Sequence, residues 1–193
     1  EALGYWRPRP RPNGAGLPLY DVVFVEQGLV ATAGMSGSIH LLRVPGGERV
    51  RSIPSEGWVV SLATNADGTI LGAGTRSGGI ALIGIDGTRY APRIGHEDTV
   101  LATEFDPHGG YVVSGSVDET LRMWAPPGWS TLGTHGTSVS SAAFRPDGRV
   151  LATTGDDFTV RLWDTRLALP LAKLSGHGDR VLDVAWGPEA EWL

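Results

Sequence analysis

Cysteine is absent from the 193 residues, so neither a disulfide framework nor thiolate chemistry is open to this chain. No apolar run approaches the roughly 20 residues of a membrane-spanning helix, and no membrane partner is expected. Excess positive charge is lacking too. Sixteen Lys and Arg against 21 Asp and Glu leave a net charge of −5, without the basic footprint of a nucleic-acid-binding surface. The five histidines show no metal-ligand spacing, so neither a metal nor another cofactor is expected. Neither Gly72–Gly74 nor Ser77–Gly79 leads into Lys-Ser/Thr, so both read as turn glycines and not as a phosphate loop. What the chain does have is glycine, 28 residues, and proline, 13, a composition of many tight turns.

Those turns belong to a repeat. Gly95-His96 opens a segment that continues through Val100, Phe105, Asp106–Gly109, Ser114 and Asp118 to Trp124. His135 opens a second that runs through Val139, Phe144, Arg145–Gly148, Thr153 and Asp157 to Trp163-Asp164. In both, the hydroxyl residue, the Asp and the Trp stand 18, 22 and 28 positions after the His. The histidines at 96, 135 and 177 are spaced by 39 and 42 residues. Within each unit, Val139–Phe144 and Val181–Trp186 share one apolar spacing and read as an innermost strand covered on both sides. Tyr111–Ser114 and Val150–Thr153 read as second strands, and the alternating Thr120–Trp124 and Thr159–Trp163 as third strands.

A Gly-His, a Pro-Asp-Gly turn and a closing Trp-Asp at this period resemble the WD-repeat family. The resemblance implies an all-β propeller of four-stranded antiparallel blades around a central channel. Upstream, the frame persists without its polar signature. Asn65–Gly68 sits 41 before Asp106–Gly109, and Ile83 sits 41 before Trp124. Blades are therefore expected at about 17–54, 55–94, 95–134 and 135–176, with a further one starting at 177–193. Residues 1–16 read as a partial blade around Tyr5-Trp6 or as a Pro-rich connector. The relay offsets counted from His177 run past Leu193, so the blades are expected to form an open arc, part of a longer protein. Members of the family commonly close a ring of seven. A small ring closed by Trp6 pairing near Trp192 is the alternative.

A Ser/Thr-His-Asp set suits a hydrolase. Here it occurs twice at one spacing, each time with a Trp, which marks a structural device. The resemblance assigns His96, Ser114, Asp118 and Trp124, and His135, Thr153, Asp157 and Trp163, to such a relay: indole to hydroxyl to imidazole to carboxylate. No catalytic residue is expected. The family's usual contact face maps onto Trp58, Thr99, Ser138 and Arg180, with Asp98 and Asp179 beside them. Trp58 and Trp129 fall outside the repeat's core positions and are candidate contact residues.

The expected function is a non-catalytic scaffold that binds protein partners, as the docking or sensor part of a larger protein. Localisation is expected to be cytoplasmic. Because Lys173 is the one lysine among sixteen basic residues, a GC-rich bacterial source is expected. The rival readings are a propeller enzyme using the equivalent channel positions Asp21, Ser61, Ala102, Ser141 and Asp183, or a self-assembling blade array.

Overall fold

The computed structural model describes residues 17–26, 28–91, 93–125 and 128–187. Four antiparallel sheets of four strands follow one another along the chain, each in simple meander order. Blade 1 comprises β1 (Leu19–Glu26), β2 (Leu29–Gly34), β3 (Ser38–Arg43) and β4 (Glu48–Pro54). Blade 2 comprises β5 (Val59–Thr64), β6 (Ile70–Thr75), β7 (Gly79–Gly84) and the short β8 (Arg93–Ile94). Blade 3 is β9 (Val100–Phe105), β10 (Val112–Ser116), β11 (Thr120–Ala125) and β12 (Gly128–Thr134). Blade 4 is β13 (Val139–Phe144), β14 (Val150–Gly155), β15 (Thr159–Asp164) and β16 (Leu169–Ser175). No helix among the described residues is long and apolar enough to cross a membrane.

The innermost strands β1, β5, β9 and β13 pack side by side in chain order, and each seam between blades holds its own apolar core. Tight reversals bring the first and second strands together, with Gly68, Gly109 and Gly148 at φ of +72°, +77° and +68°. Only glycine adopts that backbone without strain. The seams are close enough to demand small residues. A Cβ at Gly133 would run into the indole of Trp163 from the next blade, and one at Gly115 into Val139.

Among the described residues the sheets form an open arc, with β1 and β16 in different, unpaired sheets. Tyr20, Val22 and Phe24 stand exposed on the outer face of β1, while Val23 and Val25 on its other face pack towards blade 2. At the far end, Val181–Trp186 differs from its expected assignment as a strand: it joins no ladder. It still lies against blade 4, where Val181, Val184 and Trp186 pack on Ala152 and Val160 and the Trp186 indole donates to the Ala143 carbonyl at 3.0 Å. A ladder needs a neighbouring strand, and the residues after 187 lie outside those described. So do residues 1–16 and Trp192, and with them the suggested pairing of Trp6. His177 is exposed.

Gly133→Ala and Gly115→Ala are expected to destabilise the fold by about 1–3 kcal/mol, the usual cost of overpacking. Gly46→Ala, with open space around it, should be near neutral. Urea unfolding of the three variants checks this.

Candidate functional site

The two polar foursomes meet as continuous chains inside blades 3 and 4. In blade 3 the Trp124 indole donates to Ser114 Oγ at 2.7 Å, Ser114 Oγ lies 2.7 Å from His96 Nε2, and His96 Nδ1 lies 2.8 Å from Asp118 Oδ2. In blade 4, Trp163, Thr153, His135 and Asp157 repeat the chain at 2.8, 2.8 and 3.1 Å. An indole can only donate, so the hydroxyl oxygen accepts from it and points its own O–H at Nε2, which accepts that hydrogen bond. The imidazole is then neutral, with its proton on Nδ1 facing the carboxylate. Burial holds both histidines below their ordinary value, against the opposing pull of Asp118 and Asp157. Burial would raise Asp118, but hydrogen bonds from Thr120, the Glu97 and Thr120 backbone and His96 outweigh it and hold the carboxyl at about 2. Asp157 is likewise held below the usual range, since bonds from His135, Arg161 and Thr159 overcome its burial.

The strands explain this placement. Ser114 and Thr153 sit mid-strand in β10 and β14, and Trp124 and Trp163 reach the same hydroxyls from β11 and β15. The His arrives on the loop before the innermost strand. Gly155 makes room for it, because a Cβ there would lie 3.0 Å from His135 Nδ1. Blade 1 fills the equivalent positions with buried Thr32 and half-buried Leu42, and blade 2 with Ala73 and Ile83, both nearly fully buried. With no indole at the third-strand position, neither blade builds the indole-to-hydroxyl link.

Sequence reasoning missed two partners of the relay. Arg161 bonds Asp157 at 2.8 Å and also donates to the backbone carbonyls of Thr134 and His135. Its counterpart Arg122 donates to Thr120 and lies 3.7 Å from Asp118. Both arginines stand 26 residues after their His, an offset as regular as those of the relay.

The Ser-His-Asp geometry is that of a hydrolytic triad, yet it is sealed. Ser114 and Thr153 are 0% exposed, and an indole N–H already occupies each hydroxyl oxygen. The suggested channel residues line a cavity of about 420 Å³. Asp21 there accepts the Leu62 and Val22 backbone N–H groups, Ser61 bonds Thr103, and Ser141 donates to Asp183. These bonds tie one blade to the next. Ala102 has no chemistry to offer. Burial and the Asp21 charge push Glu104, on the same wall, up to about 7.

The expected contact residues lie together at one end of the innermost strands. The carbonyls of Trp58, Thr99 and Ser138 accept backbone N–H groups of Arg76, Val117 and Asp156, so each loop is clamped to the following second-to-third-strand turn. Asp98, Asp179 and Arg180 are exposed. Two further residues of this face were not foreseen. Arg76 stacks over the Trp58 ring with its guanidinium carbon 4.5 Å from the centroid. Phe158 is 44% exposed at φ +63°, at the turn position where blades 1 and 2 have Gly37 and Gly78. A side chain in that left-handed backbone is strained. The side chain of Trp129 is not among those described.

Repeated four-stranded antiparallel blades, two of them holding a buried indole-hydroxyl-imidazole-carboxylate chain, make this an open segment of β-propeller that resembles WD-repeat blades. The comparisons agree: the family "WD domain, G-beta repeat" matches residues 89–125 and 129–164. Nuclear distribution protein nudF of Aspergillus niger is 26% identical over 186 residues, covering 83% of this chain and 42% of that protein. Coronin-7 of Mus musculus is 35% identical over 100 residues, 46% of this chain and 11% of that protein. Nuclear distribution protein PAC1 of Arthroderma benhamiae is 36% identical over 96 residues, 44% of this chain and 21% of that protein. The chain therefore spans less than half the length of these relatives.

Two stability effects are expected from the relay. Asp157→Ala should cost about 1.5–3 kcal/mol, the scale of a lost buried hydrogen bond to a charged group, and Trp163→Phe, which removes a bond between neutral groups, about 1–3 kcal/mol. On acidification, unfolded histidine binds a proton near its ordinary 6.5 while His96 and His135 resist it. Stability is therefore complete above that value and falls below it. A second loss follows as the pH drops from 3.8 towards 2, where Asp118 retains its charge in the fold but not in the unfolded chain. Thermal melting from pH 8 to 3 checks the sign; stability that rose on acidification would refute it.

Proposed function

We propose that this region is a non-catalytic scaffold that binds a protein partner through the face carrying Trp58, Thr99, Ser138 and Arg180. The supporting observation is the contrast between the two groups of functional-looking residues. The triad-like hydroxyls are inaccessible, whereas Trp58 with Arg76, Phe158 and Arg180 stand at loop ends on a clamped, rigid rim. Large aromatic and Arg side chains dominate interface energetics. A fixed loop end also loses little entropy when it binds. Asp98, Asp156 and Asp179 give this rim an acidic lean, suited to a partner with basic side chains. On this reading the segment is the docking or sensor part of a longer, cytoplasmic protein. Its near-lack of lysine favours a bacterial source, although the relatives named above come from fungi and a mammal.

Trp58→Ala, Phe158→Ala and Arg180→Ala are each expected to weaken binding to a partner recovered by affinity capture, by about 2 kcal/mol for the strongest. Asp67→Ala, in a turn at the other end of β5, should leave it unchanged. Calorimetric titration of the purified pair decides. A loss confined to Asp67 would place the interface elsewhere, and a hydrolase activity abolished by His135→Ala at unchanged stability would overturn the scaffold reading.

A further inference from the structure

At the opposite rim, blades 3 and 4 enclose a cleft of about 470 Å³ between the β9–β10, β13–β14 and β15–β16 turns. Its floor is fixed by bonds that cross both turns and blades. His108 Nε2 meets the Asp147 carbonyl at 3.2 Å, joining blade 3 to blade 4, and Thr165 Oγ1 donates to the Gly148 carbonyl at 2.6 Å. Tyr111 forms the aromatic wall, held edge-on to Phe144 with centroids 5.7 Å apart. Gly148 is a tight fit, since a Cβ there would lie 3.0 Å from both Asp106 and His108.

The charges around this cleft are unevenly spent. Asp147 is occupied by a two-point ion pair with Arg145, at 2.9 and 2.8 Å, and by the Arg149 backbone N–H. Asp164 accepts the backbone N–H groups of Arg166 and Leu167. Asp106 is buried and accepts the Gly110 N–H. Every nearby carboxylate thus has its own partner. Arg149 and Arg166 make no direct ion pair: both line the cleft and both are exposed, and among the described residues neither guanidinium touches a carboxylate, although the Asp147 charge acts on Arg149 from a distance.

From this pairing of a preformed floor with two guanidiniums that make no direct ion pair, we infer that the cleft is a second binding site, for the carboxylates of an acidic peptide segment. Guanidinium forks match carboxylates in a two-point geometry and give strong, directional hydrogen bonds. His108 and Tyr111 offer flat surface to the adjoining peptide. The site differs in sign from the rim that bears Trp58, so the two faces select partners of opposite charge.

The test is fluorescence anisotropy of a short labelled poly-glutamate peptide with the full 193-residue chain. Binding is expected, weakening as salt is added. An Arg149→Gln/Arg166→Gln chain should lose about tenfold or more in affinity at a nearly unchanged melting temperature, because neither side chain makes a hydrogen bond or a direct ion pair within the fold. Arg166→Lys, which keeps the charge but not the fork, should fall between. Arg76→Gln on the other rim should bind as the parent does, which separates this site from the proposed protein-binding face. Equal binding of a poly-glutamine peptide, or full binding by the double variant, overturns the proposal. So does binding confined to a phosphoserine peptide, which would make the ligand a phosphoryl group and not a carboxylate.

Discussion

A four-stranded sheet of six-residue strands has two faces and too little bulk to cover either, so each blade here borrows its cover from the next. β2 and β14 are buried along their whole length, which no isolated sheet of this size could achieve. The seams must consequently be tight. That is why glycine recurs where Trp163 and Val139 press across from a neighbour, and why a change of one methyl group is felt. Stability in such an array is close to a sum over blades and seams. The outer face of β1, with Tyr20, Val22 and Phe24 bare, shows what a blade face looks like when no neighbour covers it.

The relay adds something that packing does not supply. An apolar seam holds sheets together but leaves the loops between them free to move. By joining the incoming loop to the second and third strands, His96 and His135 fix the start of the next innermost strand, and Arg161 pins the same loop by its carbonyls. Blades 1 and 2 show that a blade can form without it. What the relay contributes is a defined rim, and a defined rim is the basis of the proposed docking role. The arrangement also shows that catalytic chemistry needs access as well as the right atoms: the serine of this serine-histidine-aspartate set is fully buried.

Much of this was legible in the sequence because repetition exposes it. The second and third strands of blades 3 and 4 and the foursomes stand at equal offsets, and the degraded blades keep the apolar skeleton of the same frame. The fourth strands were not read. β4 and β16 are exposed along nearly their whole length, so nothing constrains their side chains to alternate. Arg122 and Arg161 were passed over because an arginine in an alternating strand reads as a solvent-facing residue, although their shared offset was there to be seen. The stacking of Arg76 on Trp58 and the cleft beside Tyr111 were beyond reach. They join residues from different turns that the repeat does not pair, and only the fold brings them together.

The central claim is that both histidines serve as neutral, hydrogen-bonded struts held by an indole-bound hydroxyl on one side and a carboxylate on the other. Nitrogen-15 NMR of the imidazole rings at neutral pH reads this directly. The account predicts that His96 and His135 carry their proton on Nδ1, with Nε2 bare and accepting. A proton on Nε2 of His96 and His135, or doubly protonated rings at that pH, would contradict it.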